Sequence, residues 1–265
     1  MAETSSQQAY NYKITTIGSL ILSIYFSFQF ILDYSKLSSE ISTTPFSNFF
    51  IFIFIYWIFY YLVQIVYIQT CLSDDVDSSG TSILSITNSV ISFNLTNVVW
   101  VILFKNRWYL LSEILVIIQL FVILNNYLIN KVYSFKPLKN YLIINLTVGS
   151  LPLSWIFMTL FWNGSLMIHS KGLAARILAN CFIWDFLIIG WVFLFWFNDY
   201  TIGLSLSYLV LGLALNQLFT KLFALQWIFA FVISGILFAS SIVTMTLKPE
   251  LKESIVVEEE PLLAN

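Results

Sequence analysis

Charge is scarce in this chain. Only 10% of its 265 residues are charged, against about 25% in an ordinary soluble domain. Twelve basic and 14 acidic side chains leave a formal net charge of -2. No basic excess exists to neutralise a phosphate backbone, which excludes nucleic acid as an expected partner. There is one histidine, His169, and there are two cysteines, Cys71 and Cys181. One imidazole cannot supply a metal site built from several, and two isolated thiols give neither a zinc motif nor a disulfide framework. No glycine-rich phosphate loop or nucleotide signature is present. The chain is therefore expected to carry no metal and no cofactor, and an enzyme is the less favoured reading.

What fills the space is apolar. Hydrophobic residues make up 59% of the chain and aromatics 18%, with a mean hydropathy of +0.85. A water-soluble domain of this length cannot hide so much apolar surface, so the expected solvent is lipid and the expected partner the bilayer. A helix needs about 20 apolar residues to cross the hydrocarbon core. That ruler gives eight stretches, at 14–32, 46–70, 82–104, 109–130, 141–162, 173–197, 202–218 and 222–246. Backbone polar groups must be satisfied within each span, so each is expected to be helical. The fold class is an all-α polytopic transmembrane bundle filling 14–247. Only Thr220 and Lys221 separate the last two spans, so seven spans is the alternative. The first stretch is longer than a signal-peptide core and lacks a small-residue cleavage site, which makes it a retained span. The ends, 1–13 and 248–265, are polar, and no fold of their own is expected of them.

Topology does not follow from charge. With eight spans, six Lys and Arg fall on each side, so the positive-inside rule gives no orientation. The tail offers another signal. Glu258 stands four residues before Leu262 and Leu263, which resembles an acidic dileucine sorting signal. Such a segment suits a clathrin-type adaptor complex, which takes the leucines in an apolar pocket and the acid on a basic patch. A cytosolic tail and an even span count place the N-terminus in the cytosol too. In a fungal cell this signal commonly directs proteins to the vacuole; the endoplasmic reticulum or another endomembrane is the alternative. The sequon Asn163-Gly164-Ser165 lies too close to the membrane surface to be much used, while Asn94 and Asn145 lie within spans.

Polar side chains inside spans are costly and need partners. Span 3 is polar on two faces, with Ser85, Asn88, Ser89, Ser92 and Thr96 on one and Thr87, Asn94 and Asn97 toward the other, so it is expected inside the bundle. Trp57, Tyr60, Gln64 and Tyr67 share a face of span 2, and Ser205, Gly212 and Asn216 one of span 7. Pro152 is expected to kink span 5. Ser19, Ser23 and Ser27 in span 1, and Ala230 and Ser234 in span 8, have the spacing of close helix contacts. These stripes could line a solute path, or serve as interhelical glue.

Three ionisable residues stand out. Asp185 lies mid-way along span 6, where a carboxylate costs about 2.5–3.5 kcal/mol on insertion scales. It ranks first on that ground. Glu113 is about one turn into span 4, and Arg176 one turn into span 6 with Asn180 on its face. Lys105, Arg107, Glu113, His169, Lys171, Arg176 and Lys221 all fall toward one membrane end. That mostly basic set could hold an anionic group, or could be interfacial anchors.

Several segments resemble a known family. They are Thr44-Pro45-Phe46-Ser47, Leu151-Pro152-Leu153-Ser154-Trp155, Phe161-Trp162-Asn163-Gly164, the runs 173–180 and 220–231, and Asn198-Asp199-Tyr200-Thr201. They are similar to a fungal multi-spanning membrane family of unknown function, over roughly 14–247 and most specifically in the C-terminal third. The resemblance implies a vacuolar membrane protein, as in budding yeast, and brings no established catalytic residue, substrate or cofactor. Arg176, Asn180, Lys221 and Gln226 match its pattern and become candidates. The pattern carries an acid where this chain has Asn163, so no acidic role transfers to that position. The leading expectation is a vacuolar multi-pass protein that binds or moves a small polar or anionic solute. The alternatives are an intramembrane lipid-modifying enzyme and a non-catalytic receptor or assembly partner.

Overall fold

In the computed structural model, residues 2–41, 44–72, 80–135, 138–168, 173–220 and 225–247 are described. Among them the chain forms ten α-helices and no strand: α1 Ala2–Ile41, α2 Phe50–Cys71, α3 Gly80–Lys105, α4 Tyr109–Ile129, α5 Leu138–Ile144, α6 Leu151–Ile168, α7 Leu173–Phe182, α8 Asp185–Phe197, α9 Tyr200–Thr220 and α10 Gln226–Leu247. Eight helical stretches are long and apolar enough to cross a membrane, because α5 with α6, and α7 with α8, each combine into one. The all-α bundle of eight candidate spans stands: α9 and α10 are each long and apolar enough to count as a span, which favours eight over seven. Helix α1 also runs back to Ala2, through residues where no fold was expected. A formed span offers the preceding Ala, Glu and Gln residues a ready nucleus to extend.

The bundle is built around its fifth and seventh spans. Burial reaches 83% of the apolar window in Leu138–Ile168 and 67% in Tyr200–Thr220, against 28% in the fourth and eighth spans. Span 3, expected inside, is half-buried. Its buried face meets α1, α2 and α4, while Leu95, Val99 and Ile102 face outward. Several of its polar residues are nonetheless paired on both flanks, although buried Ser89 has no hydrogen-bond partner among the described residues. Asn94 and Gln64 exchange two amide bonds of 3.0 Å, and Asn94 also donates to Ser19. Asn97 donates to Ser27, Thr87 pairs with Tyr67, and Thr96 accepts from Gln119. The span 1 serines are thus hydrogen-bonding positions, with Tyr61 reaching Ser23 and Ser27 from α2. Between α9 and α10, Ser207 and Ser234 each donate to the other's backbone carbonyl at 2.9 Å, which holds the two backbones close.

Two spans are irregular. Residues Asn145–Ser150 form a π-helical turn between α5 and α6, and Leu151 N–H reaches back to the Leu146 carbonyl. Pro152 has no N–H to give and its ring crowds the preceding turn, so the helix widens just before it. The expected kink takes this form. In span 6 the helix tightens at Ile183 and Trp184, where Trp184 N–H bonds to Cys181 and Leu187 N–H to Trp184. Asp185 consequently opens α8 instead of sitting within a continuous helix.

The second span begins at Phe50, four residues later than expected. The chain at 44–49 is non-helical, yet it lies deep against α9. Asn48 donates its amide to the Leu209 carbonyl at 2.7 Å, near the midpoint of α9, and Phe49 N–H donates to the Gly212 carbonyl. Gln217 donates to the Thr44 and Pro45 carbonyls, Asn216 to Ser47, and Tyr34 to the Asn48 carbonyl. Non-helical backbone at such depth persists only where protein groups satisfy it. Gly212 admits the approach, since a Cβ there would strike the Asn48 side chain and Phe52.

Candidate functional site

The helices alternate in direction, which gives the bundle two ends. One carries Asp33, Lys105, Tyr109, Ile168, Thr220 and Gln226; the other carries Ser134, Leu138, Phe197 and Tyr200. Most candidates from sequence belong to the first. There Lys105 forms an ion pair with Asp33, so that cation is engaged by α1. Arg107 is exposed in the tight turn before α4, with a left-handed backbone at φ 63°. Lys221 and His169 lie outside the described residues, as does the side chain of Arg176. A basic cluster around a bound anion therefore has no described geometry.

Glu113 has the best-defined surroundings. Asn163 of α6 is fully buried and donates its amide to Glu113 at 2.8 Å and to the Tyr109 carbonyl at 2.9 Å. The amide of the expected sequon is therefore occupied inside the fold. Gly164 sits against the other Glu113 oxygen, where a Cβ would approach within 3.3 Å. Glu113 borders a half-open cleft of about 450 Å3 whose other walls are Pro45, Phe46, Leu160, Phe161, Ser165, Ile168, Leu178 and Phe182. Among the described residues, Glu113 is the one charged side chain on this mostly apolar space between the turn before α2, the end of α6 and α7.

The other candidates stand apart from it. Asp185 is half-buried at the first residue of α8, and among the described residues no hydrogen bond or ion pair engages it. A helix N-terminus favours a carboxylate, which accounts for its presence there without a ligand. Asn180 and Gln226 each lie about one turn before a tilted ring pair, Trp184 and Phe229, whose centroids are 5.5 Å apart. Gln226 is fully buried, and among the described residues neither of its amide atoms nor Asn180 Oδ1 has a hydrogen-bond partner.

The most heavily coordinated polar group was not among the candidates from sequence, where Asp199 appeared only within a family-like segment. Asp199 is fully buried between α8 and α9. Its Oδ2 accepts from the Tyr127 hydroxyl at 2.6 Å and the Asn145 amide at 2.8 Å. Its Oδ1 accepts from the Thr201 hydroxyl at 2.6 Å, the Tyr141 hydroxyl at 3.1 Å, and the backbone N–H groups of Thr201 and Ile202. The last two bonds make Asp199 the N-cap of α9. Thr201 also accepts from Asn145 and pairs with Ser150. An acid followed two residues later by Thr at the head of an apolar run is a helix-start signal, and that signal was legible. The convergence of Tyr127, Tyr141 and Asn145 on it was not. With both oxygens filled by donors, the group ties α4, the π-turn and α9 together and leaves no open coordination position. Among the described residues no group of three or more His, Cys, Asp or Glu could hold a metal ion.

Comparison with known proteins agrees with this picture and adds no activity. Residues 176–263 match the model of a fungal protein family of unknown function (DUF1774). An uncharacterized protein of Schizosaccharomyces pombe is 36% identical over 101 residues, which cover 37% of this chain and 37% of that protein. The match therefore spans little more than a third of the relative's length. No solved structure matches the chain. The match falls in the C-terminal third, where the resemblance to a fungal family of unknown function was most specific.

Proposed function

We propose that this chain is a multi-pass protein of the vacuolar membrane that binds a small solute in the cleft headed by Glu113. One observation carries the solute reading: a carboxylate oriented by Asn163, the one charged group among the described residues at the rim of a mostly apolar space of about 450 Å3. Pockets of this size with few polar groups are the usual form of small-molecule sites. The polar group is an acceptor, so the cleft suits an apolar molecule with a cationic or donor-rich end better than the anion first expected. Support for the vacuole comes from the Glu258, Leu262 and Leu263 tail pattern and from the family resemblance.

Thermal stabilisation of the purified protein by a series of alkylammonium ions, with matched alkyl alcohols and alkyl sulfates as controls, tests the reading. Stabilisation should be largest for the amines and should fall to the level of the alcohols in Glu113→Gln. Equal stabilisation by amines and sulfates, or an unchanged response in the variant, refutes it.

A further inference from the structure

One acid lies at mid-membrane depth on the outside of the bundle. Asp185 stands near the middle of the candidate span Ile177–Phe197, where an ionised side chain is costly and ordinarily faces the bundle interior and a partner. Here it is half-buried, and among the described residues nothing bonds to either of its oxygens. The dipole of α8 makes the charge tolerable but fills neither oxygen. The sequence offers no cation at that depth. All twelve Lys and Arg lie outside the eight candidate spans or within about one turn of a span end. Arg176, whose side chain is outside the described set, stands roughly 13 Å away along the axis at 1.5 Å per residue.

The face around it has a regular pattern. Leu178, Cys181, Asp185, Ile188, Val192 and Phe195 recur at alternating steps of three and four residues. Four of the six are exposed, and Asp185 and Val192 are half-buried. The stripe continues past the tightened turn at Ile183 and Trp184. The opposite face is the one the bundle uses: Gly190 meets Leu237 of α10, and Leu194 meets Gly203 of α9. Exposed apolar side chains are ordinary in lipid. A carboxylate in the centre of a three-four stripe is not, because that spacing forms the seam along which a second helix packs, and one polar residue in such a seam fixes register and partner.

We infer that this face of α7 and α8 docks a transmembrane helix of another membrane protein that carries a lysine or arginine near its midpoint. Charge complementarity selects the partner. Lipid is hydrocarbon at this depth and brings no cation there, and a second copy of this chain has no mid-span cation to bring. The apolar residues on either side of Asp185 supply the packing, and the acid sets the register. Asp185 is not in the wall of the Glu113 cleft, so this surface is independent of that site.

Energy transfer in phosphatidylcholine vesicles tests the inference. The full chain, labelled at its N-terminus, is titrated with dye-labelled leucine helices of about 20 residues that carry lysine, leucine or glutamate at the centre. The central-lysine helix should associate roughly 10-fold more tightly than the leucine helix, the order of an interhelical polar contact in lipid. The glutamate helix should show none of that gain, and moving the lysine two turns toward one end should remove it. Asp185→Glu should keep the preference, and Asp185→Asn with the melting temperature of the wild type should lose it. Equal association of the lysine and leucine helices with the wild-type chain overturns the inference, whatever the variants do. So does an undiminished preference in Asp185→Asn, because acids at the span ends then attract the lysine. Energy transfer between two copies of the chain that Asp185→Asn abolishes and the lysine helix fails to compete would assign the acid to a proton-sharing pair of like chains, and would also overturn it.

Discussion

Replacing Asp199 by Asn changes one atom and one charge, and the surroundings of that atom set the cost. Four donors face Oδ1, two of them backbone N–H groups that cannot turn away. The new amide nitrogen must therefore take the Oδ2 side. There the Tyr127 hydroxyl can rotate to accept, but the Asn145 amide already donates to both Asp199 and Thr201. It either remains donor against donor or flips and buries its NH2 without a partner. About two charge-assisted hydrogen bonds are lost, at roughly 1.5–3 kcal/mol each. The expected destabilisation is about 4 kcal/mol, or a fall in melting temperature of about 8–16 °C for a chain of this size. Intrinsic tryptophan fluorescence of the purified protein during heating reads it. A second substitution isolates the network from mere loss of charge. Tyr127→Phe alone should cost about 2 kcal/mol, since it deletes a bond to a buried carboxylate. Added to Asp199→Asn it should cost about 1 kcal/mol or less, because the bond it deletes is then neutral. A melting temperature for Asp199→Asn within about 1 °C of the wild type refutes the assignment of Asp199 as the tie between α4, the π-turn and α9. Strict additivity of the two substitutions refutes the pairing with Tyr127.

Other substitutions test other joints. Gly212→Ala should cost about 1–3 kcal/mol by overpacking, and it should raise proteolysis near 44–49, because the new methyl meets Asn48 and Phe52. Asn163→Asp should lower the melting temperature by placing a carboxylate against Glu113 and removing the donor to the Tyr109 carbonyl. Adding Glu113→Gln to it should recover part of the loss, by restoring a donor between the two side chains. Leu262→Ala/Leu263→Ala should move a fluorescently tagged protein from the vacuolar rim to the plasma membrane or endosomes. An unchanged distribution would remove the sorting role of the tail.

The fold was legible because span length and apolar content are properties of single segments. Each of the eight stretches could be measured against bilayer thickness without knowing its neighbours, and all eight recur as helices. The errors lie where the neighbour decides. Residues 46–49 read as span because Phe46 and Phe49 are apolar, but Ser47 and Asn48 find partners on Asn216 and Leu209, and those bonds hold the backbone open. Gly212 and Asn216 were seen as one stripe of span 7; that the stripe receives a non-helical turn was not visible from spacing. Span 3 read as central because both faces are polar, yet partners on α1, α2 and α4 engage residues of both while a third, apolar face is exposed.

The ranking of the acids shows the same limit. Asp185 ranked first because it lies near the middle of span 6, where a carboxylate is costly, and position along a helix was the only measure of cost available. The tightened turn at Ile183 and Trp184 gives that carboxylate a helix N-terminus and partial exposure, which lowers the cost that made it conspicuous. Asp199 ranked nowhere because a turn between spans is ordinarily wet. It is dry here because α4, α5 and α9 converge on it with two tyrosines, an asparagine and a threonine, and of these only Thr201 is near it in sequence. An acid's functional weight in a membrane bundle thus depends on whether its oxygens are filled. Those of Asp199 are filled by the fold, whereas Glu113, among the described residues, has one oxygen bonded to Asn163 and the other turned toward Gly164 at the edge of a cleft. A buried acid saturated by donors is a structural tie, and one left half-coordinated beside open apolar volume is where a ligand with a donor gains most.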